Sequence, residues 1–187
     1  MIFNKHSDLE GLHAFLGASS YHWLNYDFEK LEEVWRNDKA KEYGTQLHEL
    51  ASMCIKFGKK LEDNKQTLSL FVNDAISYKM DSEVVLYYSP VCFGTADAIC
   101  FRRNTLRIHD LKTGTTKASE NQLKIYAALF CLEYKYKPKD IKFELRIYQS
   151  DTVRIYEPTP EDITGIMKKI VSFDKYIKKL QAEELDI

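Results

Sequence analysis

The stretch Ile108-His109-Asp110-Leu111-Lys112-Thr113-Gly114 decides how the rest of the chain is interpreted. It predicts a β-strand that ends in an acid, one apolar residue and a lysine, after which Gly114 lets the chain turn away. Side chains alternate along a strand, so Asp110 and Lys112 point to the same face. A carboxylate can hold a hard cation such as Mg²⁺, and an adjacent ammonium can orient or deprotonate water and stabilise charge on a phosphate. Because Asp-Leu-Lys is also common on solvated strand faces, its meaning depends on its neighbours.

A predicted hairpin supplies the first of these neighbours. Residues 91–101 and 105–112 have the pattern of two strands, and Arg102-Arg103-Asn104 has the composition of a tight turn. Such a turn makes the strands antiparallel and places Asp97 opposite Asp110. Two carboxylates side by side repel each other unless a cation lies between them. The hairpin therefore predicts a metal site.

The remaining elements follow from periodicity. Helices are predicted over about 39–57, 67–78, 120–132 and 161–180, and strands over 83–88, 139–149 and 153–156. A short helix and a further helical turn are expected within residues 7–24, with Ser19-Ser20 as the cap of the turn that carries Trp23. Trp23 and Tyr21 are expected to pack in the core, with base stacking as the alternative.

Two of the predicted helices carry further candidate residues. Gly44 and His48 lie four residues apart and therefore on one helix face, where His48 is either a structural histidine or a metal ligand. Gln122 and Tyr126 have the same spacing on the helix that follows Lys112. They either hydrogen-bond a phosphate and hold the lysine in place, or are an ordinary solvent-facing glutamine and a half-buried tyrosine.

Composition bounds the class of protein. With 187 residues, of which 44% are hydrophobic and 29% charged, the chain is expected to form one well-buried domain. The net charge of -1 neither indicates nor excludes nucleic acid, because binding follows local fields and a bound metal inverts the sign of an acidic cleft. The lysines of the last predicted helix form either a solvated face or a contact with a DNA backbone.

The four cysteines and the apolar runs bear on the compartment. The cysteines are widely spread and form no C-x-x-C pair, which predicts free buried thiols in a reducing environment and no zinc site or iron–sulfur cluster. The start of the chain lacks the apolar core of a signal peptide, and no run approaches membrane-spanning length. A cytoplasmic protein without a membrane partner is expected.

Taken in chain order, four short motifs form a recognisable set. They are Gly44-x-x-x-His48, Gly94-x-x-Asp97, Asp110-x-Lys112-Thr-Gly and Gln122-x-x-x-Tyr126. This ordered set resembles the RecB-like branch of the PD-(D/E)XK nucleases over roughly residues 44 to 150, and the Ser-Ser-Tyr-His-Trp segment near the N-terminus also looks like the beginning of small phage-encoded members. The second motif is Gly-Thr-Ala-Asp in place of Pro-Asp, and Asp110 stands where many members have Glu. Neither departure changes the charge.

The resemblance implies a fold and a domain organisation. The fold would be mixed α/β (α+β), a restriction-endonuclease-like core with a central mixed sheet flanked by helices. Residues 1–187 would form a single nuclease domain with its core at about 40–157, an N-terminal helical segment at 1–39 and a C-terminal helix at about 160–181.

The resemblance also implies roles for the candidate residues. Asp97 and Asp110 would hold one or two Mg²⁺ or Mn²⁺ ions, with the Leu111 carbonyl and His48 as further ligands. Lys112 would position or activate the attacking water, and a pair on the following helix, Gln122 and Tyr126, would support the site and contact the DNA phosphate. The cysteine cluster that binds iron–sulfur in some relatives is missing, so no such cofactor is expected.

The expected function is metal-dependent hydrolysis of DNA phosphodiester bonds, first of all by an exonuclease in phage DNA replication or recombination. DNA would be the partner, phage recombination or replication proteins would be further candidates, and a phage-encoded protein would work in the host cytoplasm. A catalytically silent DNA- or protein-binding module on the same fold is the alternative, followed by a fold built around a structural metal. Endonuclease activity, RNA as substrate, either polarity and an oligomer are all compatible with these residues.

Overall fold

The computed structural model describes residues 5, 7–9 and 11–185. The helices in this part are α1 (Phe28–Lys56), α2 (Thr67–Ser77), α3 (Asn121–Glu133) and α4 (Pro160–Leu185). The strands are β1 (Asp81–Ser89), β2 (Cys92–Arg102), β3 (Thr105–Leu111), β4 (Lys142–Gln149) and β5 (Thr152–Tyr156). By its internal contacts the chain divides into two compact units, residues 1–44 and 45–187.

The first unit contains two 3₁₀ helices, Ser7–Leu9 and Ala18–Asn25, and the beginning of α1. The second 3₁₀ helix starts directly after Gly17 and is kinked at Ser20, whose φ of -103° and ψ of 39° are not helical. Ser20 therefore separates a first turn from the turn that carries Trp23, which is the place the sequence predicts for a cap. The Trp23 indole N–H donates to the Gly17 carbonyl at 3.0 Å, and Trp23 is half-buried. Tyr21 is exposed, so the prediction that it packs in a core is also wrong.

Helix α1 begins at Phe28, well before the start predicted near residue 39. The Asp27 carboxylate accepts a hydrogen bond from the Lys30 backbone N–H at 2.7 Å, as an N-cap residue does. The first turns carry ion pairs at helical spacing, such as Lys30 with Glu33. Phe28, Leu31 and Trp35 also have helical spacing, so the apolar pattern, the cap and the ion pairs all mark a helix that starts before the predicted boundary.

The five strands form one sheet in the order β1-β2-β3-β4-β5. Neighbouring strands are antiparallel except β3 and β4, which are parallel and are connected through α3. The fold is therefore a mixed α/β fold, of the α+β kind, with a central mixed sheet flanked by helices. This confirms the fold class predicted from the sequence.

The β2–β3 hairpin has the predicted turn and register. Arg103 and Asn104 have φ values of 50° and 56°, the pair of left-handed residues that a type I′ turn requires. Ala98 pairs with His109, and the register pairs Ile99 with Ile108 behind it. This is the predicted register, and the two predicted acids lie one position beyond its last pair.

Helices cover both faces of the sheet. On one face α3 and α4 bury a core that includes Leu106, Ile108, Leu123, Ala127, Leu145 and Ile163. On the other face α1 and α2 bury a core that includes Ala51, Ile55, Phe71, Val72, Ala98, Leu111 and Tyr148. Burying one large aliphatic side chain stabilises a fold by roughly 1.5–3 kcal/mol. Strand β3 contributes to both cores and is thereby held between two helical layers.

Helix α4 begins at Pro160 behind a capping box. The Thr159 hydroxyl accepts a hydrogen bond from the Asp162 N–H at 3.2 Å, and the Asp162 carboxylate accepts one from the Thr159 N–H at 3.0 Å. Further along the helix, Lys178 pairs with Asp174 at 2.7 Å. Part of the predicted basic face is therefore neutralised within the helix itself.

Two predictions on membranes and cysteines can be compared with the structure. None of the described helices combines the length and apolarity needed to cross a bilayer. The four cysteines are free thiols, as predicted. Cys54, Cys100 and Cys131 are buried, whereas Cys92 is only half-buried.

Candidate active site

Asp97 lies where strand β2 changes its packing. Ala96 belongs to the core under α3, whereas Ala98 belongs to the core under α2, so the alternation of faces breaks at Asp97. Registered pairing with β3 also ends at Ala98. At Asp97, where the pairing of the two strands has ended, one carboxylate oxygen accepts a hydrogen bond from the Leu111 backbone N–H at 2.8 Å. The other oxygen lies 3.4 Å from the His48 ring nitrogen Nδ1.

His48 is presented to Asp97 by helix α1. Ala51 and Ile55 follow it by three and seven residues, hence on the same helix face, and both are buried in the core under the sheet. The hydrogen bond to Asp97 raises the pKa of His48, and partial burial acts against this shift. A side chain 31% exposed and adjoining a carboxylate remains accessible to an ion.

Glu83 also belongs to this group and was not among the predicted residues. One ligand atom each from His48, Glu83 and Asp97 lie within 4.8 Å of one another. Glu83, the third residue of strand β1, has a φ of 54°, a left-handed conformation. For a residue other than glycine such a conformation costs about 1–3 kcal/mol and is often found at functional sites. Partial desolvation and the neighbouring Asp97 charge raise the pKa of the Glu83 carboxyl.

Glu83 lies opposite Asp97 in the β1–β2 register, because Ser82 pairs with Ala98 and Val84 with Ala96. The turn at Pro90 does not predict this register, because the pairing shifts by one residue between Tyr87 and Ser89. Counting back from the pair Ser89–Cys92 next to the turn would place Ala98, and not Asp97, opposite Glu83. The irregularity within the hairpin is therefore why sequence reasoning missed Glu83.

Asp110 is the most deeply buried acid of the group. It is 2% exposed, and burial followed by the Asp97 charge raises its pKa to about 6. The Lys112 ammonium lies 3.1 Å from Asp110 Oδ1 and acts in the opposite direction. Burial first, and the Asp97 charge second, therefore disfavour the ionised form of Asp110, and a bound cation would relieve both.

Lys112, which contacts Asp110 near the end of β3, also contacts helix α3. The Lys112 ammonium donates to Gln122 Oε1 at 2.9 Å, and the Gln122 amide donates to the Tyr126 hydroxyl at 3.0 Å. The Lys112 backbone N–H donates to the Tyr148 carbonyl at 2.9 Å, which extends the β3–β4 pairing by one bond. Gln122 holds the lysine, as the first alternative expected, and is also exposed to solvent, as the second expected. Tyr126 is buried rather than half-buried.

Gly94 makes room for the Tyr126 ring. A Cβ atom at Gly94 would lie 2.8 Å from Tyr126 Cε1, closer than real Cβ contacts allow. The glycine three residues before Asp97 is therefore required by a close approach of α3 to β2. Gly44, the other glycine of the motif set, precedes His48 by four residues on α1.

The donor set suits a hard divalent cation. Carboxylate oxygens and an imidazole nitrogen are ligands of Mg²⁺ and Mn²⁺. The structure brings the ligand atoms of His48, Glu83 and Asp97 within 4.8 Å of one another, and among the described residues Asp110 is not part of this group. Asp110 lies on the neighbouring strand β3, and its use as a ligand stays a prediction. Leu111 donates its N–H to Asp97 and buries its side chain, and the use of its carbonyl as a ligand stays a prediction.

Comparison with known proteins gives a family of unknown function. A family model described as "Protein of unknown function (DUF2800)" matches residues 74–156, which is less than half of the chain. The match includes Glu83, Asp97, Asp110, Lys112, Gln122 and Tyr126 but not His48. No curated protein and no solved structure matches the chain.

Proposed function

We propose that the chain is a metal-dependent nuclease that hydrolyses DNA phosphodiester bonds on a restriction-endonuclease-like core. The observation that carries this proposal is the placement of Asp97 and Asp110 just beyond the last registered pair of two adjacent strands. Lys112 lies 3.1 Å from Asp110, and His48 lies 3.4 Å from Asp97. A purely structural site has no need of a lysine beside the acids. The resemblance of the four motifs to RecB-like nucleases supports the same conclusion.

The cation would be held by His48, Asp97 and Asp110, with Glu83 and the Leu111 carbonyl as further ligands. Mg²⁺ or Mn²⁺ bound there lowers the pKa of its water and neutralises charge that develops on the phosphate. The Leu111 N–H donates a hydrogen bond to one oxygen of Asp97. Because this bond fixes the carboxylate, the backbone of β3 also sets the direction in which the second Asp97 oxygen points. His48 must be neutral to act as a ligand.

Lys112 is suited to act on the phosphate or on the attacking water. An ammonium has three hydrogens, of which Asp110 and Gln122 can accept two. The third remains for a phosphate oxygen or a water molecule. Held in this way, Lys112 contributes a positioned positive charge where the transition state gains negative charge.

The finer proposal is an exonuclease that acts in phage DNA replication or recombination in the host cytoplasm. It is supported by the likeness of the motif set and of the N-terminal Ser-Ser-Tyr-His-Trp segment to small phage-encoded nucleases. Phage replication or recombination proteins are the partners that this proposal implies.

The test is incubation of purified protein with end-labelled linear DNA and closed circular DNA in Mg²⁺, Mn²⁺ or EDTA. The Asp110→Ala protein, prepared in the same way, controls for contaminating nucleases. Degradation of linear DNA alone, lost with EDTA and with the substitution, is expected. Cleavage of both forms would correct the exonuclease proposal. DNA binding without cleavage under any metal would replace the enzyme with a binding module.

A further inference from the structure

Beyond Asp97, one face of the β1–β2 hairpin carries exposed side chains within the unit of residues 45–187. Val85, Tyr87 and Phe93 are 53%, 45% and 61% exposed, and Thr95 is exposed as well. The opposite face of the same strands packs on the core beneath α3. Residues 93 and 95 alternate onto this face with the period of two that a strand requires, and Asp97, where the alternation breaks, is the next position of the series.

The two aromatic rings on this face form a pair. Tyr87 and Phe93 are directly opposite in the β1–β2 register, with ring centroids 6.4 Å apart and planes inclined by 31°. Phe93 precedes Asp97 by four residues, or ~13 Å along the strand. The strand is fixed at this point, because Gly94 packs against Tyr126 of the site.

We propose that Tyr87 and Phe93 form a stacking subsite for the bases of an unpaired nucleic-acid strand whose backbone continues to Asp97. This inference rests on the proposed nuclease function, since it concerns the substrate of the same site. The substrate would be a single strand or the unpaired end of a duplex. Its unpaired bases would lie on the side of the cleaved phosphate where Tyr87 and Phe93 are.

The chemistry of the face favours unpaired bases over a duplex. Val85, Tyr87, Phe93 and Thr95 carry no charge, whereas a duplex is held mainly by lysine and arginine on its phosphates. Bases in a duplex present their flat faces to one another, and only unpaired bases can place them on an aromatic side chain. Such stacking strengthens binding about fivefold or more for each base and depends little on sequence.

The edge of β1 makes an added protein strand a poorer occupant. The Glu133 carboxylate accepts the Tyr87 backbone N–H at 2.8 Å, so one of the free donors that another strand would need is already used. The accessible feature of this hairpin is therefore its aromatic face and not its backbone.

The experiment compares two oligonucleotides that differ only in their bases. Binding of full-length protein to a single-stranded DNA oligonucleotide and to an abasic oligonucleotide of equal length is measured by fluorescence anisotropy in EDTA, which prevents cleavage. Phe93→Ala and Tyr87→Ala are expected to weaken binding of the normal oligonucleotide at least about fivefold. Binding of the abasic oligonucleotide should be unchanged. Phe93→Leu, which keeps an apolar side chain without a ring, should behave as Phe93→Ala.

Ile155→Ala is the matched control. Ile155 is 54% exposed on β5, the opposite edge of the sheet, and its removal should change neither binding constant. Equal losses on the two oligonucleotides, no loss on either, or no binding by the wild type would overturn the subsite. An oligomer that dissociates on Phe93→Ala, with the preference for bases retained, would assign this face to contact between copies of the chain.

The outcome is separable from that of the nuclease proposal. Cleavage is measured in Mg²⁺ or Mn²⁺ and depends on Asp110, whereas the difference between the two oligonucleotides is measured without metal. A protein that prefers bases but cleaves nothing would refute the nuclease and retain the subsite. A protein that cleaves DNA but whose binding of both oligonucleotides is unchanged by Phe93→Ala would retain the nuclease and refute the subsite.

Discussion

The Leu111 backbone N–H donates to the Asp97 carboxylate at 2.8 Å, which ties the acid of one strand to the main chain of the next. Leu111 itself is buried beneath α2, and its two sequence neighbours are Asp110 and Lys112. One hydrogen bond and one buried side chain thus set the position of three functional groups relative to one another. This relationship explains why the Asp-x-Lys motif has an apolar residue at its centre.

The first prediction concerns the metal. His48→Ala should weaken Mn²⁺ binding about tenfold or more, because it removes the only nitrogen ligand of the proposed set, a change of about 1.4 kcal/mol per factor of ten. Isothermal calorimetry on metal-free protein measures this directly. His22→Ala, at an exposed position of the first unit, is the control and should leave the affinity unchanged. Equal affinities for all three proteins would make His48 a structural histidine.

The second prediction concerns the lysine. Lys112→Ala should reduce cleavage by about 10²–10³-fold while metal affinity and fold are retained, since a positioned charge aimed at a transition state has this order of effect. Initial rates on labelled DNA and circular dichroism measure the two properties. Lys117→Ala removes an exposed lysine from the loop before α3 and should cost little. Full activity in the Lys112→Ala protein would refute the site.

The sequence predicts the parts of this fold that depend on neighbours in the chain. The β2–β3 hairpin is predictable because two turn residues and alternating strands determine its register, and that register brings Asp97 to Asp110. Helix α3 is predictable from its apolar spacing, and with it the pairing of Gln122 with Tyr126.

Other features depend on contacts between distant segments and cannot be read from one element. Gly94 is required by the Tyr126 ring, which lies on a different element. The left-handed conformation of Glu83 breaks the strand pattern that periodicity assumes. His109 on β3 is buried against Tyr148, which lies on β4 and is separated from β3 in the chain by α3. In each case the physical cause is a tertiary contact and not a local preference.

The third prediction is that a substitution which abolishes cleavage also stabilises the metal-free protein. The pKa of Asp110 is raised to about 6 from 3.8, so the folded state holds a proton that the unfolded state has lost, and stability falls as pH rises between these values. Asp110→Asn removes the charge and should raise the unfolding free energy at pH 8 by about 1–3 kcal/mol. Urea unfolding in EDTA measures the gain, which should vanish near pH 4. A less stable variant at pH 8 would contradict the argument.

The fourth prediction concerns acid. Burial, with the Arg146 and Arg107 charges, lowers the pKa of His109 to about 3, so the unfolded state binds a proton that the folded state excludes. Stability should therefore be lost as pH falls below about 6.5, by up to about 1.4 kcal/mol per pH unit. Asp110 acts in the opposite direction over part of this range, so the slope is best measured in the Asp110→Asn protein. Adding His109→Leu to that protein should flatten the slope. An unchanged slope would assign the acid sensitivity to other groups.

The last prediction tests the close approach of α3 to β2. Gly94→Ala should destabilise the protein by about 1–3 kcal/mol, because its Cβ would meet Tyr126 Cε1 at 2.8 Å. Tyr126→Leu removes the ring and should relieve the clash, so the double variant should be more stable than the sum of the single effects predicts. Tyr126→Phe keeps the ring and should give no relief, which makes it the matched control. Both double variants should cleave slowly, since neither retains the hydroxyl that accepts the Gln122 amide. Strictly additive losses in urea unfolding would mean that Gly94 is required for a reason other than this contact.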